Sequence, residues 1–74
     1  MIKKLLEILS AYVDAPLGTY DENTNFVDLG LDSLRMMKII IDVENAFKVR
    51  FEDFEIVELK NTLDIENFIS LKNQ

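Results

Sequence analysis

Neither cysteine nor histidine occurs among the 74 residues, and this absence narrows the possible folds most. No disulfide can form, and of the usual zinc ligands only carboxylates remain. A chain this short builds one small core, which rarely supplies more than about 3–5 kcal/mol net without a staple. Side-chain packing must therefore hold the fold together unaided. An apolar fraction of 49% is enough for packed helices to do so.

The apolar residues recur at helical spacing. Over residues 2–14, Ile2, Leu5, Leu6, Leu9 and Val13 share one face, with Tyr12 at its edge. Pro16 and Gly18 are expected to stop this helix. A long connection to about Leu31 follows. Unstructured connections longer than about 12–15 residues are uncommon in compact domains and are often functional or mobile. Phe26, Val27, Leu29 and Leu31 are expected to pin it across the bundle, Phe26 foremost, and Thr24 and Asn25 add a local turn. The pattern predicts a second helix from Ser33 to Phe47. It predicts a short third helix over 52–58, with Phe54 and Val57 as its apolar side. Thr62 is the expected N-cap of a fourth, in which Leu63, Ile65, Phe68 and Ile69 are buried. The chain reads as one all-α domain, 1–74, with three main helices, a short third helix and a long first loop.

The formal net charge is −6. Phosphate repulsion, with no basic stripe to offset it, argues against nucleic acid as a partner. Taken alone, the charge favours partners with basic surfaces, and it also keeps a small protein soluble. Glu7 and Asp14 interrupt any apolar leader segment behind Lys3 and Lys4. No run approaches the roughly 18–20 apolar residues of a membrane span. A cytoplasmic monomer is expected.

The segment Leu29-Gly30-Leu31-Asp32-Ser33-Leu34 sets one serine at the mouth of the second helix, behind an aspartate and a turn-permitting glycine. A serine nucleophile needs a base beside it. The chain has no histidine and no Gly-x-Ser-x-Gly elbow, and Lys38 lies five residues along the helix, which is poor geometry for a Ser–Lys pair. Ser33 thus reads as a place of attachment rather than a catalyst, with Asp32 as the standing N-cap. A calcium loop is the rival: Asp21, Asn23, Asn25 and Asp32 imitate EF-hand positions 1, 3, 5 and 12. Phe26 stands where the glycine is required, and Asp32 is shorter than the bidentate glutamate.

The second helix carries one apolar face too many. Ile39, Ile40, Val43 and Phe47, with Met36 and Ala46 nearby, form a broad arc suited to a core. Leu34, Met37 and Ile41 form a second stripe, beginning beside Ser33 and bordered by charges such as Arg35 and Lys38. Glu44 falls between the two sets. A surface helix needs only one apolar stripe. Either a small bundle buries this helix on most sides, or Leu34, Arg35, Met37, Lys38 and Ile41 make a face on which a partner docks. Met37 suits contact with several partners, because its side chain adapts its shape.

On these residues the chain resembles the acyl carrier protein family, which includes the peptidyl carrier proteins of nonribosomal peptide synthesis. The segment from Leu29 to Leu34 is similar to the family's prosthetic-group site. Val43-Glu44 and Phe47 resemble the end of its second helix. Val49, Phe51, Glu52 and Asp53 resemble the approach to its third, and Thr62 stands where its fourth commonly begins. The resemblance spans essentially the whole chain. It implies a four-helix carrier bundle with no catalysis of its own. It implies that Ser33, framed by Gly30, Asp32 and Leu34, receives 4′-phosphopantetheine from coenzyme A through a phosphopantetheinyl transferase. The thiol of that arm then carries an acyl or aminoacyl group as a thioester between loading and condensing enzymes. A phosphodiester at a helix N-terminus is favourable on physical grounds as well. One departure is that Arg35 and Lys38 stand where many fatty-acid-synthesis carriers are strongly acidic. That leans toward a discrete carrier in a specialised polyketide or nonribosomal-peptide-like pathway. The alternatives are a carrier of primary fatty acid synthesis and a cofactor-free helical interaction module.

Overall fold

The computed structural model describes residues 1–73, in which four α-helices and one 3₁₀ turn surround a single core. Helix α1 spans Ile2–Ser10 and buries Leu5 and Leu9. It is shorter than the apolar period suggested, and it stops well before Pro16. The N–H groups of Ala11 and Tyr12 turn to the carbonyls three residues back, at 3.3 and 2.9 Å, tightening the last turn out of α geometry. Val13 still reaches the core, but from the loop.

The long first loop is held at its middle by a local turn and by bonds to the start of the last helix. The Asp21 carboxylate accepts from the Asn23 N–H at 2.9 Å and the Thr24 hydroxyl at 3.3 Å, closing the expected local turn. Phe26 N–H donates to the Lys60 carbonyl at 2.8 Å, and Leu63 N–H donates to that of Glu22 at 3.0 Å. Asn25 and Asn61 form an isolated bridge there. Phe26 is buried and opens the 3₁₀ turn Phe26–Leu29, an element the sequence pattern did not reveal. Leu29 and Leu31 are half-buried against the core. Val27, expected to help pin the loop, is instead exposed, because the tight turn directs it away from Phe26. Gly30 ends the turn at φ 73°, a left-handed conformation that a side chain would strain.

Helix α2 spans Ser33–Phe47, the limits its pattern predicted. Asp32 is its N-cap and accepts from the Arg35 N–H at 2.8 Å. Ile39, Ile40 and Val43 are each 1% exposed and form the centre of the core. Phe47 is only half-buried, packing at the edge of the core near the helix end. Glu44, ambiguous in sequence, accepts the Phe51 N–H at 2.8 Å and fixes the chain beyond the helix.

Helix α3 is a single turn, Asp53–Ile56, with the Glu52 N–H bonded to the Glu55 carboxylate at 2.8 Å. Its inward residue is Ile56, whereas Phe54 and Val57 face solvent, contrary to the sequence reading. A four-residue helix is too short for periodicity to mark its buried side. Helix α4 spans Thr62–Lys72. Its N-cap is Asn61 rather than Thr62: the Asn61 side chain accepts the Asp64 N–H at 2.9 Å. Thr62 is buried as the first helical residue. Ile65 and Ile69 are buried as expected, with Leu63 and Phe68 half-buried. Helix α1 packs against both α2 and α4. Near its C-terminus, α4 reaches α3 through Lys72, 2.9 Å from the Glu55 carboxylate and 5.4 Å above the Phe51 ring.

Candidate functional site

The site is built at the mouth of α2. Gly30 reverses the chain, Asp32 caps the helix, and Ser33 follows as the first helical residue, exposed to solvent. Asp32 engages the Arg35 N–H with its side chain and the Met36 N–H with its carbonyl, at 2.8 and 2.9 Å. The N–H groups of Ser33 and Leu34 have no acceptor among the described residues. They are the free donors of a fifteen-residue helix, at its positive end. Gly30, Asp32, Ser33 and Leu34 thus lie together at the mouth of α2.

Beside Ser33 lies a cleft of about 410 Å³ whose apolar lining includes Phe26, Val27, Leu31, Met36 and Val57. A second cleft, of about 520 Å³, runs between α2 and α3 and is lined by Ile40, Ile41, Glu44 and Phe51 among others. Met37 and Ile56 belong to both. Val27 and Val57 were missed as site residues because helix and loop patterning assigned them to the core. Their exposure beside Ser33 is a property of the assembled fold.

The second stripe of α2 lies outside the core: Leu34 is 66%, Met37 43% and Ile41 52% exposed. The bundle therefore does not bury this helix on most sides. Arg35 makes one long hydrogen bond, from Nη1 to the Tyr12 carbonyl at 3.4 Å. On the same helix Asp42 accepts the Tyr12 hydroxyl proton in a short hydrogen bond. That bond to Asp42, then burial, then the repulsion of the carboxylate's charge, raise the Tyr12 phenol above its ordinary pKa. Of the residues that imitate a calcium loop, Asp21 is folded into its own turn and Asp32 into the helix cap.

The family model described as "Phosphopantetheine attachment site" matches residues 3–69, which includes this whole constellation. The chain belongs to that family. Carrier function with covalent 4′-phosphopantetheine as the cofactor comes with this membership. An acyl carrier protein of Thermobifida fusca is 32% identical over 66 residues, covering 88% of this chain and 84% of that protein. The solved structure of an acyl carrier protein from Thermotoga maritima superposes with a TM-score of 0.79 at 32% identity, covering 96% of this chain and 84% of that one. A non-reducing polyketide synthase of Didymella fabae is 32% identical over 66 residues, but the match spans only 2% of its length. An acyl carrier protein of Exiguobacterium sibiricum is matched over 53% of its length, so these two relatives are only partly spanned by the chain.

The mouth of α2 fits the cofactor. Two free N–H groups at a helix N-terminus suit a phosphate, an exposed hydroxyl is open to a transferring enzyme, and the apolar cleft beside it could receive a slender arm. When bound, the group supplies a terminal thiol for thioester chemistry in a protein that has no cysteine. Among the described residues no helix is long and apolar enough to cross a membrane.

Proposed function

We propose that Ser33 is the attachment residue and that the protein carries acyl or aminoacyl cargo between separate enzymes without catalysing a reaction itself. The observation that carries this reading is the exposed Ser33 hydroxyl beside free N–H groups and an apolar cleft. Gly30 and Asp32 shape the turn and hold the helix mouth. Leu34 begins the apolar stripe on which partners dock, with Arg35, Met37, Lys38 and Ile41. The partners are a phosphopantetheinyl transferase and the loading and condensing enzymes of one pathway, and the working compartment is the cytoplasm.

The pathway we favour is specialised, polyketide or nonribosomal-peptide-like. Arg35 and Lys38 on the docking face support it, as does the similarity to a fungal polyketide synthase. A carrier of primary fatty acid synthesis is the second reading, supported by similarity to bacterial proteins named acyl carrier proteins. The attachment is tested with coenzyme A, magnesium and a broad-specificity phosphopantetheinyl transferase, followed by intact mass. Wild type gains one phosphopantetheine and Ser33→Ala gains none; an equal gain by the alanine variant refutes the assignment. Intact mass of protein isolated from its native cells, with the acyl load preserved, separates the two pathways.

A further inference from the structure

Residues 52–58 lie between two buried anchors, Phe51 and Leu59, and none of the seven is itself buried. Helix α3 falls inside this stretch. Its backbone hydrogen bonds close within residues 52–59. Glu55 and Ile56 donate to the Glu52 carbonyl, Val57 to Asp53, Glu58 to Glu55 and Leu59 to Ile56. Among the described residues, one hydrogen bond ties the stretch to another element: Lys72 Nζ donates to the Glu55 carboxylate at 2.9 Å. The half-buried Ile56 supplies the apolar hold.

Lys72 is placed to fasten this stretch to α4. Its Nζ lies 5.4 Å above the Phe51 ring, which stands 6.2 Å from the ring of Phe68 on the same helix. One ammonium thus meets both an anchor and the segment that swings from it. The Lys72 and Glu55 side chains are only 26% and 13% exposed, so the pair is partly sheltered from water. The other charges of the stretch are the exposed carboxylates of Glu52, Asp53 and Glu58. Without the lysine, four like charges stand within seven residues.

The same stretch is the wall where the two clefts meet. Met37 on α2 and Ile56 on α3 line both the cleft beside Ser33 and the cleft between α2 and α3. Swinging residues 52–58 outward about Phe51 and Leu59 would draw Ile56 away from Met37 and join the clefts. A segment with few buried contacts opens locally at a far smaller free energy than the whole fold requires.

We propose that residues 52–58 are a hinged flap latched by the Lys72–Glu55 ion pair, and that release of the pair joins the two clefts for an apolar ligand. The proposal does not depend on what is attached at Ser33. An ion pair of ordinary surface strength changes the ratio of open to closed flap about 1.5- to 5-fold. At about 1 M salt the screening length falls to about 3 Å, and the latch weakens.

Amide hydrogen exchange of the full-length protein, followed by NMR, tests it. The variant Lys72→Met keeps an apolar stem beside Phe51 and removes the charge. At low salt it should speed exchange of the Ile56 and Val57 amides about 1.5- to 5-fold, and leave those of Ile39 and Ile40 in the core unchanged. Glu55→Gln, which keeps an acceptor for the Glu52 N–H, should do the same at Val57. At about 1 M sodium chloride, wild type and variants should converge. Nile red, a neutral apolar dye, is then titrated while the methyl signals of Met37 and Ile56 are followed. Where only the open form binds, affinity follows the open population, so Lys72→Met should bind the dye more tightly by the same factor. Unchanged α3 exchange in both variants overturns the latch. So does a difference that survives at high salt. Equal acceleration of the core amides would show that the pair supports the whole fold, and overturns it too. Equal dye affinity, or shifts away from Met37 and Ile56, refutes the joining of the clefts.

Discussion

Leu34 and Ile40 stand on one helix, and truncating each to alanine removes the same number of carbons. Their surroundings should make the results very different. Ile40 is 1% exposed at the centre of the core. Ile40→Ala deletes the equivalent of about three methylenes, worth about 2.4 kcal/mol at about 0.8 each. The cavity left behind places the total within about 2–5 kcal/mol. That approaches the whole net stability of about 3–5 kcal/mol expected for a core this small, so Ile40→Ala should be close to unfolded without denaturant. Ile40→Val, at about 0.5–1.5 kcal/mol, keeps the site measurable. Leu34 is 66% exposed. The covered third of a side chain worth about 1.5–3 kcal/mol when fully buried gives about 0.5–1 kcal/mol for Leu34→Ala. The better helix propensity of alanine reduces even that slightly. Urea unfolding of each variant measures these losses. The rate of phosphopantetheinylation is read alongside, where Leu34→Ala should slow the reaction about fivefold or more as a contact residue. A loss of 2 kcal/mol or more for Leu34→Ala, with no rate defect beyond unfolding, would show that the stripe is core and that the docking face does not exist.

Ser33→Ala should keep its near-UV circular dichroism and lose no more than about 0.5 kcal/mol, because Asp32 is the cap. Asp32→Ala should instead cost about 0.5–2 kcal/mol in urea unfolding. Glu44→Ala should cost about 1–3 kcal/mol by stranding the half-buried Phe51 N–H, although the glutamate belongs to neither apolar stripe. The Glu55 carboxyl is held below its ordinary pKa of 4.5, first by the Glu52 N–H and then by Lys72. Its contribution to stability is therefore complete above that ordinary value and is lost as pH falls through the lower, folded one. The urea midpoint of Glu55→Gln should fall less steeply than that of wild type between pH 5 and pH 3; parallel curves would refute the assignment.

What could be read from the chain and what could not divide along physical lines. The limits of α2 were legible because Asp32 is a strong cap and fifteen residues carry a clear period. Its two stripes were legible for the same reason. The cap of α4 was misread by one residue, since Asn61 and Thr62 are both competent caps and adjacent, and only backbone geometry chooses between them. The buried side of α3 was misread because one turn offers no repeat. Val27 was misassigned because a 3₁₀ turn sends neighbouring apolar residues to different sides. The bonds from Tyr12 to Asp42 and from Phe51 to Glu44 join separate elements, and no local pattern announces them.

The stitching of the first loop to the start of α4 governs how the molecule opens. Phe26 and Leu63 donate their N–H groups across it, to Lys60 and Glu22. Their partners are far away in sequence, so neither bond survives unless loop and helix are docked together. Loops usually exchange their amide hydrogens through small local fluctuations. These two amides should exchange only when the whole bundle unfolds, at the rate of the buried α2 amides. The loop preceding Ser33 would then be as durable as the core itself, and its turn would present the serine in one fixed setting through every cycle of loading and unloading.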